Sequence, residues 1–114
     1  MERILLNNSD LKVSRVCFGG CPMGGYGWGD VSREDLIRAI NEAIDNGINF
    51  FDSADTYGLG EGEKILGETL GFKRHKAIIG TKVGVRVENG KTFYDNSPKW
   101  INKAVEQSLK RLRT

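Results

Sequence analysis

The chain alternates short apolar runs with amphipathic stretches. Arg3 to Leu6 and Leu11 to Val16 are β-prone and flank Asn7-Asn8-Ser9-Asp10, whose side chains favour turns by bonding to nearby backbone. The pattern predicts an N-terminal hairpin. Val16-Cys17-Phe18 then predicts a strand that runs into a glycine-rich loop from Gly19 to Asp30. From Ser32 onward Leu36, Ile37, Ile40, Ala43 and Ile44 recur at helical spacing, with Ser32 as N-cap, Asp35 three residues on and Gly47 as the stop. Arg33, Glu34, Arg38, Asn41, Glu42 and Asp45 fall largely off that stripe, so the helix should cover one face of a sheet.

Gly47-Ile48-Asn49-Phe50-Phe51-Asp52-Ser53-Ala54-Asp55-Thr56-Tyr57-Gly58 is an apolar run that stops at an acid and reaches a tyrosine through a polar loop. It reads as a buried strand and the loop beyond it. A second helix is expected from Gly62 to Leu70, with Ile65, Leu66 and Leu70 inward and Gly71 as its stop. Ala77-Ile78-Ile79-Gly80-Thr81-Lys82-Val83 predicts a third strand, apolar until a charge near its end. Residues 84–96 read as a long loop with a hairpin-like excursion around Asn89-Gly90. Ser97 caps and Pro98 opens a last helix, with Ile101, Ala104, Val105, Leu109 and Leu112 on one face and no glycine to end it.

Strands near positions 17, 50 and 80 are spaced by the roughly 30 residues of a βαβ unit, whose crossovers are nearly always right-handed. The expected architecture is α/β: a β-hairpin and three βα units with a parallel sheet, in one domain over residues 1–114. In parallel barrels the reactive groups lie just beyond the strands' C-terminal ends. Asp52, Tyr57 and Lys82 fall there.

Composition narrows the classes. Hydrophobic residues at 39% and charged ones at 28% are globular values, and a net charge of +2 gives no electrostatic case for nucleic acid or an anionic membrane. No run approaches the length of a membrane helix and the N-terminus lacks a signal-peptide core, so a soluble, cytoplasmic protein is expected. Cys17 and Cys21, if the segment between them is extended, lie about 13 Å apart, beyond disulfide reach. Without partner His or Cys residues at ligand spacing they read as packing residues, and no metal site is expected. Gly25 and Gly27 are followed by Asp30 where the dinucleotide fingerprint needs its third glycine, which removes the main support for a Rossmann reading.

Adjacent parallel strands lie about 4.8 Å apart, so Asp52 and Lys82 could pair, with the lysine stem also reaching Tyr57. An ammonium beside a phenol stabilises the phenolate left when the proton departs. The trio would then be a tyrosine acid, a lysine that tunes it and an aspartate that holds the lysine. A structural Asp–Lys bridge beside an unrelated tyrosine fits the spacing as well.

The run Gly47–Gly58, followed by Glu63-Lys64-Ile65-Leu66-Gly67 and Ile79-Gly80-Thr81-Lys82, resembles the N-terminal part of the aldo-keto reductase superfamily. The likeness extends over the whole chain, including the hairpin that closes the base of the barrel in that family. It implies the N-terminal part of a (β/α)8 TIM barrel that reduces aldehydes or ketones with NADP(H). By the same resemblance Tyr57 donates the proton, Lys82 and Asp52 support it, and Gly20, Cys21 and Asp52 lie where the cofactor approaches. Tyr26 and Trp28 would line the substrate mouth, or pack locally.

The family's catalytic histidine follows its fourth strand, and the sequence ends at Thr114, in the helix before that strand. His75 precedes the third strand and belongs to the opposite end of the sheet. The chain is therefore expected to be truncated, under half of a typical barrel of about 250 residues, with little catalysis alone. Its partners would be a small carbonyl substrate and cofactor, with no nucleic acid or membrane; its oligomeric state is open. A Schiff-base lyase using Lys82 and a non-catalytic nicotinamide-binding or interaction subunit are the competing readings.

Overall fold

The computed structural model describes residues 1–114. Strands β1 (Arg3–Leu5) and β2 (Lys12–Ser14) form the expected antiparallel hairpin, with Ile4 opposite Val13. The central sheet is parallel, with β4 (Phe50–Asp52) between β3 (Cys17–Gly19) and β5 (Ile78–Gly80). Phe18, Phe51 and Ile79 are level with one another across it.

Because side chains alternate along a strand, these three share the face toward the helices. There Phe51, fully buried, meets Leu36, Ile40 and Ala43 of α1 (Arg33–Asp45), Ile65, Leu66 and Leu70 of α2 (Glu61–Leu70) and Leu112 of α3 (Pro98–Leu112) in one core. Cys17, Gly19, Phe50, Asp52, Ile78 and Gly80 take the alternate positions, on the face that no helix covers. The structure is thus a three-stranded open sheet on one helical layer, with no closed barrel.

The caps follow the sequence. Ser32 Oγ accepts the Asp35 amide at 3.0 Å, and Ser97 Oγ accepts the Trp100 amide at 3.3 Å. Residues 84–96 hold a true hairpin, β6 (Val85–Glu88) and β7 (Lys91–Tyr94), turned at Asn89 and Gly90 with φ of 49° and 73°. Two positive φ values are what a two-residue type I′ turn requires.

Three expectations need correction. Val105 and Leu109 are 41% and 44% exposed, because α3 rests on α2 through a narrower stripe of Ala104, Ser108 and Leu112. As expected, no glycine ends that helix; Arg113 takes the left-handed conformation, φ 56°. Cys17 and Cys21 are exposed thiols and do not pack. Cys17 lies on the uncovered sheet face, and Cys21 opens the 3-10 turn Cys21–Gly24. Finally, β5 stops at Gly80, so Lys82 stands two residues past the strand.

Asn49, just before β4, ties the hairpin to the sheet. Its Oδ1 accepts the Ser14 amide at 2.6 Å, its Nδ2 donates to Lys12 O at 3.0 Å, and its own amide donates to Ser14 Oγ at 3.1 Å.

Candidate active site

Beyond the C-terminal ends of the three strands the backbone continues as a set of mutual hydrogen bonds. The Gly20 amide donates to Asp52 O at 2.8 Å, the Ser53 amide to Gly80 O at 2.8 Å, and the Asp55 amide to Lys82 O at 3.0 Å. These extend the sheet pairing past its last ladder residues and fix the three loops against one another. Glycine at 20 follows from this closeness, since a Cβ there would run into Asp52 O and lie 2.6 Å from Met23 Cε. The crowding comes from the protein itself.

Lys82 Nζ donates to Asp52 Oδ1 at 2.6 Å and to Ser53 O at 2.6 Å. It also stands 5.3 Å from the centroid of the Tyr57 ring. Burial pulls the ammonium toward release of its proton, but the Asp52 hydrogen bond and charge, joined by Tyr57, more than offset it. The lysine is held above its ordinary range. Asp52 and Lys82 side chains are each about half exposed, 46% and 52%, so the pair is open to an incoming molecule.

Tyr57 begins the 3-10 turn Tyr57–Gly60 that leads into α2. The turn packs tightly on its neighbours: a Cβ on Gly24 would lie 2.6 Å from the Gly58 amide nitrogen and 2.9 Å from the Tyr57 carbonyl carbon. The glycine loop is thereby set against the tyrosine's own backbone. Asp52, Tyr57 and Lys82 are brought together, and Gly20 joins them through Asp52. Cys21 lies one residue on, exposed. Tyr26 is 92% and Trp28 56% exposed, and neither hydrogen-bonds to the trio. His75 sits before β5, its Nδ1 2.8 Å from Phe72 O, at the other end of the sheet.

One buried group escaped the sequence reading. Glu63, in the first turn of α2, is fully buried; its Oε1 accepts from Thr81 Oγ1 at 2.6 Å and its Oε2 from Arg111 Nε at 2.7 Å. It lies on the buried side of α2, between Gly62 and Ile65, where the helical pattern could have marked it. Asp55 belongs to the same cluster: burial first, then the Glu63 charge, raise its carboxyl above the usual range against the pull of Arg111.

The model of the aldo/keto reductase family matches residues 15–114. The chain belongs to that family. Among its relatives, the aldo-keto reductase YhdN of Bacillus subtilis is 34% identical, over 100% of this chain and 35% of its own length. The L-galactose dehydrogenase of Arabidopsis thaliana is 39% identical, over 99% of this chain and 35% of its own. Of solved structures, the aldo-keto reductase AKR11C1 from Bacillus halodurans, in its holo form, superposes with a TM-score of 0.88 at 36% identity, over 100% of this chain and 37% of that one. The chain thus spans little more than a third of these aldo-keto reductases, corresponding to their N-terminal part. Its hairpin and three parallel strands are the beginning of their barrel.

No helix is long and apolar enough to cross a membrane. No three His, Cys, Asp or Glu side chains converge as a metal site would require.

Proposed function

We propose that these residues form the N-terminal part of an NADP(H)-dependent oxidoreductase that reduces a small aldehyde or ketone. Tyr57 is the proton donor, Lys82 its electrostatic support and Asp52 the group that holds Lys82. The observation that carries the reading is that Lys82 Nζ donates to Asp52 Oδ1 at 2.6 Å while standing 5.3 Å from the centroid of the Tyr57 ring.

The chemistry follows from charge. As a carbonyl becomes an alcohol its oxygen gains negative charge and must take a proton, and Tyr57 supplies it from its hydroxyl. The phenolate left behind is stabilised by the neighbouring Lys82 ammonium, whose charge Asp52 and Ser53 O keep in place by direct hydrogen bonds. A lysine held protonated is a poor amine nucleophile, which argues against a Schiff-base lyase.

The nicotinamide end of the cofactor would bind here, beside half-exposed Asp52 and near Tyr57, with Gly20 and Cys21 on the adjoining loop. When bound, the cofactor supplies the hydride. A 2′-phosphate would need cations beyond these, because Lys82 is already engaged by Asp52. Tyr26 and Trp28, exposed on the glycine loop, are available to line the substrate mouth. The remaining cofactor contacts and the catalytic histidine belong to the part of the barrel that these 114 residues do not span, and the 114 residues by themselves turn over poorly.

In a full-length protein carrying this sequence, Tyr57→Phe should lower kcat for carbonyl reduction by about 100-fold or more while cofactor affinity, followed by nicotinamide fluorescence, is kept. Unchanged turnover in that variant would remove Tyr57 from the mechanism.

A further inference from the structure

We infer that Glu63 is a positioning residue for this site, holding the backbone beside Lys82 through the Thr81 hydroxyl and so setting where the ammonium stands against Tyr57. The inference rests on the reading of Lys82 and Tyr57 given above.

Lys82 lies two residues past the end of β5, beyond the last ladder residue. Its carbonyl is held by the Asp55 amide at 3.0 Å, and the residue before it is held through its side chain, Thr81 Oγ1 to Glu63 Oε1 at 2.6 Å. Two anchors on consecutive residues determine both the position of the Lys82 Cα and the direction in which its side chain leaves. Removing one leaves the segment free to turn about the other.

The other end of the link is equally defined. Glu63 is fully buried, and a buried carboxylate is costly unless its oxygens are partnered. Arg111 Nε, from α3, supplies the second partner at 2.7 Å. An apolar side chain would fill the same space without that cost, but it would not hold Thr81. The same helical turn also bears on Tyr57: a Cβ on Gly62 would lie 3.2 Å from both Tyr57 Cβ and Tyr57 O. One turn of α2 therefore touches the proton donor through Gly62 and reaches the lysine's segment through Glu63. It acts as the gauge between them.

The test uses a full-length protein carrying this sequence. Thr81→Val removes the donor at constant shape, Thr81→Ser restores it, and Arg111→Met removes the other partner of Glu63 while leaving Thr81 in place. Two readouts are taken: steady-state carbonyl reduction, and the pH titration of the Lys82 side-chain carbons by NMR. Thr81→Val should lower kcat about 10- to 100-fold with KM for the carbonyl changed less than about twofold, and should move the Lys82 titration to lower pH as its grip on Asp52 loosens. Thr81→Ser should recover both, and Arg111→Met should lower thermal stability while leaving the Lys82 titration where it was. Thr81→Ala reports the same loss if the valine variant does not fold. The inference is overturned if Thr81→Val and Arg111→Met lower stability alike and neither alters kcat or the titration. A titration that moves in Thr81→Val, together with a fully active Tyr57→Phe, supports the link through Thr81 and rejects only the assignment of Tyr57.

Discussion

Gly67→Ala sets two effects of opposite sign against each other at the crossing of α2 and α3. Alanine is favoured over glycine inside a helix by about 1 kcal/mol. Yet a Cβ at 67 would stand 2.8 Å from Leu112 Cα and 2.9 Å from Leu112 C, and closer still to the Arg111 carbonyl oxygen. Carbon atoms in contact prefer about 3.5 to 4.0 Å, so the gap must open by something near an ångström. The obstructing atoms are backbone, and no rotamer change removes them. The end of α3 has to retreat, which draws buried Leu112 from the core and lengthens the bond from Arg111 to Glu63. Overpacking of this kind costs about 1 to 3 kcal/mol, and more when a helix has to move. Because backbone has to move, the cost falls in the upper part of that range, about 2 to 3 kcal/mol, and less the propensity gain the net change should be a loss of about 1 to 2 kcal/mol. For a domain of this size each kcal/mol lowers Tm by about 4 to 8 °C, which thermal unfolding followed by far-UV circular dichroism resolves easily. A Gly67→Ala protein with a Tm equal to or above that of the unsubstituted chain would refute the close crossing.

Two further outcomes follow. Phe51→Ala, at a fully buried position in the middle of the core, should cost about 3 to 5 kcal/mol in urea unfolding, and a loss under about 1 kcal/mol would mean that the sheet and helices are not packed as described. Lys82, raised above the ordinary lysine value of 10.5, adds stability that is complete below that value and lost as pH rises through the higher folded one. The pair is half exposed, so the effect is at most about 1 kcal/mol; Lys82→Met should flatten the alkaline decline, and parallel pH curves for the two proteins would count against it.

Element type was legible wherever one period ran long enough. The stripe Leu36, Ile40, Ala43 between a serine cap and Gly47 located α1, and the run before Asp52 located β4, because each pattern reports burial against a sheet that the rest of the chain supplies. Local pattern overstated α3. Val105 and Leu109 lie on its apolar side, but the Gly67 crossing brings the helices so close that Ala104 and Ser108 fill the contact instead. The same limit explains Cys17, whose exposure depends on which sheet face stays uncovered.

Of the candidate site, the strand order brought Asp52 and Lys82 to one end of the sheet, while the spacing left the part of Tyr57 open. Glu63 could not. Its partners Thr81 and Arg111 lie 18 and 48 residues away, and only the folded arrangement of α2, α3 and the segment after β5 joins them. Asn49 was hidden in the same way, since an amide inside an apolar run gives no sign that it closes the hairpin onto β4.

The separation between Glu63 and Arg111 carries a consequence for how the molecule is made. A chain emerging from the ribosome has its first hairpin, α1 and β4 available before α3 exists, yet Glu63 lacks its cation until residue 111 has been added and the last helix has docked. Contacts this distant in sequence form late, because the loop they close must be ordered first. Early in synthesis the carboxylate stays hydrated, and it becomes buried only once α3 has packed onto α2.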